Sequence, residues 1–170
     1  MSSINNIEIE RKFLVKDASY KALATRSVRI QQGYLCLNTN CSVRVRRWDT
    51  QAFLTIKSKA NHYGFSRYEF EKEISLQEAD ELFRIALPGV IDKVRWLVPL
   101  AQGLTCEVDE FLGENAGLVM AEVELPSEEM AFEHPLFLGD EVTMDKRYYN
   151  SYLSQYPYQT WTDCKKVKLF

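Results

Sequence analysis

The fold of this chain is decided by its first strand-like stretch, Ile7-Glu8-Ile9-Glu10-Arg11-Lys12-Phe13-Leu14-Val15. Charged and apolar residues alternate along it, so that Glu8, Glu10 and Lys12 share one parity while most of the apolar residues share the other. Because successive side chains of a β-strand point to opposite faces of a sheet, this alternation predicts a strand with three charges in line on one face. Taken alone, the stretch is typical of a sheet surface that is turned to water.

Six further segments repeat the pattern, with charges of one sign at positions i and i+2. The pairs are Arg44 and Arg46, Lys57 and Lys59, Glu71 and Glu73, Lys93 and Arg95, Glu107 and Asp109, and Glu122 and Glu124. Like charges two residues apart repel each other, so the arrangement lowers stability unless opposite charges lie over the same face. Seven such strands therefore favour an enclosed face on which acidic and basic side chains meet.

The remaining segments predict further structure. Alternation predicts strands over residues 28–37, 41–48, 53–59, 66–74 and 118–125. Apolar residues at helical spacing predict a helix over 17–26 with Asp17 as its N-cap. Ser75-Leu76-Gln77-Glu78 is a capping-box sequence that begins a second helix, which we expect to end near Ala86. Short helices or turns are also expected at 38–40, 62–64, 126–129 and 148–155.

The composition excludes several classes of protein. The 170 residues are 46% hydrophobic, which is enough for a folded core, and 21 Lys and Arg residues nearly balance 24 Asp and Glu residues. The resulting net charge of −3 argues against a non-specific nucleic-acid binder. No apolar run approaches the roughly 20 residues of a membrane-spanning helix, and the first residues lack the pattern of a signal peptide. We therefore expect a cytoplasmic protein with no membrane partner.

The organisation of the chain predicts one domain over residues 1–170. No Ser/Gly-rich linker, repeat or low-complexity tract divides the sequence. The cysteines have no CxxC spacing, so a zinc site is not expected, and scattered reduced thiols are typical of the cytoplasm. The four cysteines are Cys36, Cys41, Cys106 and Cys164.

A closed sheet gives the charged strand faces a common interior. An antiparallel barrel of seven or eight strands has one inward and one outward parity on every strand, and helices can cover its apolar outside. Clustered carboxylates with few His or Cys residues suit Mg²⁺ or Mn²⁺. Clustered Arg and Lys suit phosphate oxygens, and several basic pairs predict a chain of phosphates rather than one.

A series of short motifs follows the same order along residues 7–154. They include Glu8-Ile9-Glu10-Arg11-Lys12, Gln32-Gly33-Tyr34-Leu35, Arg44-Val45-Arg46, Thr55-Ile56-Lys57, Arg67-Tyr68-Glu69-Phe70-Glu71, Lys93-Val94-Arg95, Glu107-Val108-Asp109, Glu122-Val123-Glu124 and Asp145-Lys146-Arg147-Tyr148-Tyr149-Asn150. Together they resemble the triphosphate tunnel metalloenzymes, the CYTH domain superfamily, and in particular its small prokaryotic members. The resemblance implies an α+β fold built as an eight-stranded antiparallel β-barrel, or tunnel, with a few covering helices.

The resemblance also implies roles for individual residues. The metal ligands would be Glu8, Glu10, Glu122 and Glu124, helped by Asp109 and by a carboxylate of the fifth strand such as Glu71, and the metal would be Mg²⁺ or Mn²⁺. The phosphates would be bound by Lys12, Arg44, Arg46, Lys57 and Arg95, with Lys93 and Lys146 as additions. The catalytic set would be Glu8, Glu10, Lys12, Glu122 and Glu124. Lys59, Glu73 and Glu107 remain rim or salt-bridging candidates, Asp145 a structural one, and Arg11 and Arg47 are expected to be solvent-exposed.

The implied activity is hydrolysis of a triphosphate, in which water attacks the terminal phosphorus in line. Fold alone does not choose the substrate. The Gln32-Gly33-Tyr34-Leu35 segment and the short length resemble members that favour inorganic triphosphate, so we expect hydrolysis of that compound to diphosphate and phosphate. A class IV-type adenylate cyclase and a thiamine or nucleoside triphosphatase remain alternatives. A non-catalytic polyphosphate- or nucleotide-binding module also remains, although it would have no use for paired carboxylates. No nucleic-acid partner is expected, and monomer and homodimer are both left open.

Overall fold

The computed structural model describes residues 9–38, 40–58, 69–127 and 129–162. Nine strands lie within these ranges: β1 Ile9–Val15, β2 Arg26–Leu37, β3 Cys41–Trp48, β4 Gln51–Ser58, β5 Glu69–Ile74, β6 Ile91–Pro99, β7 Thr105–Phe111, β8 Val119–Leu125 and β9 Leu138–Glu141. The helices there are α1 Tyr20–Leu23, α2 Leu76–Arg84 and α3 Asn150–Leu153, with short 3₁₀ helices between elements. The predictions that concern Glu8, Lys59, Arg67, Cys164 and residues 62–64 lie outside the described residues.

All nine strands belong to one antiparallel sheet, in the order β5-β4-β3-β2-β6-β7-β8-β1-β9. The predicted α+β class is confirmed, but two details of the barrel need correction. The described sheet has nine strands rather than eight, and within the described residues no pairing joins its edges β5 and β9 into a closed barrel. Alternation did not reveal β9 because it has four residues, two of which, Gly139 and Asp140, are poor strand formers. Its pairing with β1 also changes register. A short, irregular edge strand offers few backbone hydrogen bonds for pairing with the other edge of the sheet.

The register of the sheet places the charged parity of seven strands on a single face. Directly opposed residues of neighbouring strands project from the same face, and Lys12 lies opposite Glu122 while Arg95 lies opposite Asp109. We call this surface the charged face. Its charged residues are Glu10, Lys12, Arg26, Arg44, Arg46, Lys57, Glu69, Glu71, Glu73, Lys93, Arg95, Glu107, Asp109, Glu122 and Glu124.

The opposite, outer face of the sheet is apolar and is covered by other parts of the chain. Val108 and Val123 are fully buried there, packed with Phe137 from the segment before β9. On β3 and β4 the cover is α2, whose Ala79 packs in a buried cluster with Val45. Burial of this face is the main reason why the sheet has a defined inside and outside.

Arg11 and Arg47 lie on the outer face, as their parity predicts, but they are half-buried rather than solvent-exposed. Arg11 donates to Glu141 through Nε (2.9 Å) and Nη2 (2.5 Å). Arg47 binds Asp80 of α2, and its guanidinium carbon lies 5.7 Å from the centre of the Phe83 ring. Parity shows the face of a residue but not the element that covers it, and long arginine stems readily pack on apolar surface.

An apolar cluster closes one end of the charged face. Leu14 and Met120, which lie opposite each other and continue the charged parity of β1 and β8, are buried in it. The C-terminal segment completes the cluster with Tyr148, Leu153 and Trp161. Water is therefore excluded from that end of the face.

The first predicted helix is reduced to one turn. Instead of a helix over 17–26, the chain forms only Tyr20–Leu23 and enters β2 at Arg26. Asp17 does not cap this helix, because its Oδ1 accepts a hydrogen bond from the backbone N–H of Ser19 at 2.9 Å. Such a local side-chain bond offers the backbone an alternative to the helix.

The other helix predictions have mixed outcomes. The capping box is confirmed: Ser75 Oγ accepts from the Glu78 N–H (3.1 Å) and Glu78 Oε2 accepts from the Ser75 N–H (2.7 Å). At 126–129 the described residues show no helix, and the Ser127 carbonyl accepts a single turn bond from the Met130 N–H. Residues 148–155 contain only the short α3 and the end of a 3₁₀ helix. No helix in the described ranges is long and apolar enough to cross a membrane.

Candidate functional site

The acidic part of the charged face is formed where β1, β8 and β7 run side by side. Glu10 lies opposite Glu124, Lys12 opposite Glu122, and Glu107 opposite Glu122 on its other side. Lys12 Nζ is 2.9 Å from Glu10 Oε2 and 2.5 Å from Glu122 Oε1. The structure thus brings together four of the predicted residues, while the fifth member of the catalytic set, Glu8, lies outside the described residues.

The position of Lys12 is fixed by residues of the segment that follows β9, in which the sequence assigned a binding role to Lys146 alone. The Lys12 N–H donates to Thr143 Oγ1 (3.0 Å), and the Val142 N–H donates to the Lys12 carbonyl (2.8 Å). The Tyr149 ring lies 5.7 Å from Lys12 Nζ, and its hydroxyl donates to the Thr143 carbonyl. These residues follow β9 without a charge alternation, so no periodic signal marked them.

A buried trio of charges lies beside the acidic part, on β6 and β7. Asp109 is 1% exposed and accepts from Lys93 Nζ at 2.5 Å and from Arg95 Nε and Nη2 at 2.7 Å each. Burial lowers the pKa of the Lys93 ammonium, although the charge of Asp109 partly opposes this effect. Both oxygens of Asp109 are therefore engaged by cationic groups, and its role as a metal ligand stays a prediction.

Arg95 connects this trio to two further carboxylates. Its Nη2 is 3.1 Å from Glu122 Oε2, and its Nη1 binds Glu107. Burial works against ionisation of Glu122, but the charges of Lys12, Lys93 and Arg95 outweigh it and lower its pKa to about 2. Burial raises the pKa of Glu107 despite Arg95. Glu107 thus has the salt-bridging position that the sequence left open.

The basic part of the charged face lies on β3 and β4. Arg46 Nη2 is 3.0 Å from Glu71 Oε2, and Lys57 Nζ is 2.9 Å from Glu69 Oε2. Burial, followed by the charge of Arg44, lowers the pKa of Arg46. The Nε atoms of Arg44 and Arg46 are buried without a hydrogen-bond partner in the part of the chain that the structure describes, as is that of Arg47 on the outer face. Two such donors on the charged face suit an anion with several oxygens.

Two predicted residues lie apart from these clusters. Glu71 belongs to the edge strand β5, far from β8 in the strand order, and accepts from Arg46 and from Thr55 Oγ1 (2.8 Å). Its predicted role as a metal ligand is therefore not supported by adjacency to Glu122. Lys146 is exposed in the 3₁₀ helix Lys146–Tyr148. The neighbouring Asp145 binds Arg147 and caps that helix, in line with a structural role.

The donor set of the acidic part fits a hard divalent cation, although its carboxylates are engaged by protein cations. Among the described residues, no three acidic, His or Cys side chains are arranged to hold a metal ion as they stand. However, Glu10 and Glu122 converge on one positive group, the Lys12 ammonium, which shows that a cation can be held between them. Glu124 lies next to them, is exposed, and makes no ion pair with any described residue. Oxygen ligands of this kind suit Mg²⁺ or Mn²⁺.

Comparisons with known proteins identify the family of this chain. The CYTH domain family matches residues 6–155. The inorganic triphosphatase of Acetivibrio thermocellus is 45% identical over 157 residues, which cover 92% of this chain and 98% of that protein. The inorganic triphosphatase of Nitrosomonas europaea is 37% identical over 150 residues, covering 86% and 96% of the two chains.

A comparison of folds leads to the same family. The crystal structure of the inorganic triphosphatase NE1496 superposes with a TM-score of 0.65 and 34% sequence identity, covering 86% of this chain and 93% of that chain. The matched region contains every described residue of the acidic and basic parts of the charged face. The chain belongs to the CYTH domain family.

Proposed function

We propose that this protein is an enzyme that hydrolyses inorganic triphosphate to diphosphate and phosphate with the help of a divalent metal ion. The observation that carries the proposal is the division of one sheet face into adjoining acidic and basic parts. The names of the two curated relatives support the same activity. Triphosphatases of the family generally depend on a divalent metal, and we propose Mg²⁺ or Mn²⁺ here because the candidate ligands are carboxylates.

The basic residues would bind the phosphate chain. Arg44 and Arg46 each have a buried Nε–H that lacks a hydrogen-bond partner among the described residues. A phosphate oxygen would accept a hydrogen bond from each of them. Lys57 lies on the adjoining strand of the same face, and Lys146 is a proposed addition. A bound triphosphate would compete with Glu71 for Arg46, so part of the binding energy would be used to break this ion pair.

The acidic residues would hold the metal next to the phosphates. A divalent cation at Glu10, Glu122 and Glu124 would polarise phosphoryl oxygens and neutralise part of their charge. Lys93 and Arg95 lie between the acidic and basic parts, where they would stabilise negative charge on the transferred group and the leaving diphosphate. The apolar end of the face would exclude bulk water, which strengthens these interactions.

The proposal is tested with a panel of substrates and the purified protein. Phosphate release is measured from inorganic triphosphate, ATP and thiamine triphosphate, with Mg²⁺, with Mn²⁺ and with a chelator, and cyclic AMP is measured in the ATP reactions. We expect metal-dependent release with the highest kcat/KM for inorganic triphosphate. Cyclic AMP production would instead identify a cyclase, and tight polyphosphate binding without turnover would identify a binding module.

A cytoplasmic location is also proposed. It rests on the free thiols of Cys36, Cys41 and Cys106, since unpaired cysteines are typical of a reducing compartment. Expression of a fluorescent fusion in the native host, with fractionation, checks this proposal.

A further inference from the structure

Lys12 links the two carboxylates that the proposed function assigns to the metal. Its Nζ lies 2.9 Å from Glu10 Oε2 and 2.5 Å from Glu122 Oε1. Both contacts are short enough for charge-assisted hydrogen bonds. Glu10 lies on β1 and Glu122 on β8. The ammonium group therefore occupies the point at which the two carboxylates converge.

The contacts of Lys12 with Glu10 and Glu122 conflict with both proposed roles of the site, metal binding and phosphate binding. A divalent cation bound by Glu10 and Glu122 would lie within a few ångströms of the Lys12 ammonium, where like charges repel strongly. While the Lys12 ammonium is hydrogen-bonded to these carboxylates, it is not bound to a phosphate. The main chain of Lys12 is fixed by Thr143 and Val142, so Lys12 can relieve the conflict only by moving its side chain.

We propose that Lys12 is a displaceable counter-ion, whose ammonium takes the place of a divalent cation between Glu10 and Glu122 until the metal binds and releases it to the triphosphate. The inference rests on the proposed function, because it concerns the same carboxylates. The Glu10 side chain is 43% exposed, which gives a cation access from solvent. Metal and triphosphate then favour each other's binding, since the metal frees a phosphate ligand and the phosphate retains the freed lysine.

The test measures metal binding alone, without triphosphate. Mn²⁺ is titrated into substrate-free wild type and Lys12→Met, and free Mn²⁺ is followed by electron paramagnetic resonance. Because Lys12→Met removes the ammonium that bridges Glu10 and Glu122, while Arg95 remains beside Glu122, we expect Mn²⁺ to bind about fivefold more tightly or better, a typical size of coupling between sites. Lys12→Gln, which keeps a polar but shorter and uncharged side chain, is expected to shift the affinity in the same direction.

Lys93→Met is the matched control. It also removes one buried positive charge from the charged face, but its partner is Asp109 rather than Glu10. We expect a smaller gain in Mn²⁺ affinity than in Lys12→Met. Circular dichroism and a thermal melt establish that each variant is folded before titration.

Two outcomes would overturn the inference. One is unchanged or weaker Mn²⁺ binding in a folded Lys12→Met or Lys12→Gln, and the other is an equal gain in Lys93→Met, which would reveal a general charge effect. Failure of the proposed function is distinguishable, because it is an absence of triphosphate turnover in the wild type. A wild type that is active with metal while Lys12→Met gains no affinity overturns the inference alone.

Discussion

Side chains that share one charge on the charged face have very different surroundings. Asp109 is 1% exposed and is held by Lys93 and Arg95, whereas Glu124 is exposed and forms no ion pair with the described residues. The family resemblance implied a metal-ligand role for both residues, and the alternation, which identifies a face but carries no information about burial, could not separate them. These surroundings favour a positioning role for Asp109, and Glu124 remains a proposed cation ligand.

The role of Asp109 leads to a prediction about Asp109→Asn. Removing this charge leaves Lys93 and Arg95 buried together, so the free energy of unfolding should fall by about 3 kcal/mol. Displacement of the two cationic groups should lower kcat/KM for triphosphate about 100-fold. The metal concentration that gives half-maximal activity should stay the same. Urea denaturation and metal titrations of activity measure these quantities.

Asp92→Asn is the control for this prediction. Asp92 is also on β6 but on the outer face, where it binds the largely exposed Arg29 at 2.7 Å. Its loss should change the free energy of unfolding by at most about 1 kcal/mol and leave kcat/KM unaltered. A large shift in metal requirement with unchanged stability in Asp109→Asn would show that Asp109 is a metal ligand after all.

At the scale of elements, the helices support the sheet from the side opposite to the site. α2 covers β3 and β4 on the outer face. Gly33 of β2 allows the helix and the residues after it to pack closely, because a Cβ there would lie 3.1 Å from Ala86 Cβ and 3.2 Å from the Phe83 ring. The arginines of the basic part lie on the other face of these strands. Stability and chemistry are therefore carried by opposite faces of the same strands, and changes in α2 should affect mainly stability.

The capping box of α2 gives a direct check. Ser75→Ala removes the acceptor of the Glu78 N–H, so the free energy of unfolding should fall by about 1 kcal/mol. The kcat/KM for triphosphate should remain that of the wild type, because α2 does not reach the charged face. Ser19→Ala is the matched control, since Ser19 precedes α1 without a side-chain capping bond. A loss of activity without a loss of stability would mean that α2 takes part in the site.

At the scale of the whole molecule, the small net charge of −3 conceals a strong separation of charge. Glu10, Glu107, Glu122 and Glu124 are gathered at one part of the charged face and Arg44, Arg46 and Lys57 at another. Protein ion pairs neutralise many of these charges internally, as for Glu122 with Lys12. Stability should therefore depend on the ionisation of the buried carboxylates.

Acid should remove the contribution of the ionised Glu122 to the free energy of unfolding, in a defined range of pH. Its pKa is lowered to about 2 from an ordinary value of 4.5, so this stabilisation is complete above pH 4.5 and is lost as the pH falls towards 2. The stability difference between wild type and Glu122→Gln should therefore shrink by up to about 3 kcal/mol over this range. Urea denaturation at a series of pH values measures it. A difference between wild type and Glu122→Gln that stays constant with pH would contradict the prediction.

The sequence by itself determined which residues share a face. A period of two in the charges is a local property of an extended chain, so the strands and the charged face followed from it without knowledge of their neighbours. The same holds for the capping box at Ser75, whose two hydrogen bonds join residues three apart. The resemblance of the motifs added the family, and with it an activity.

Only the tertiary structure decided which opposite charges meet and how deeply they are buried. Asp109 and Lys93, or Lys12 and Glu122, are brought together by strand pairing across long separations in sequence. Likewise, the edges of the sheet and the short β9 depend on pairing and covering segments rather than on local pattern. The physical reason is that burial and ion pairing are properties of the packed chain, whereas periodicity is a property of a few consecutive residues.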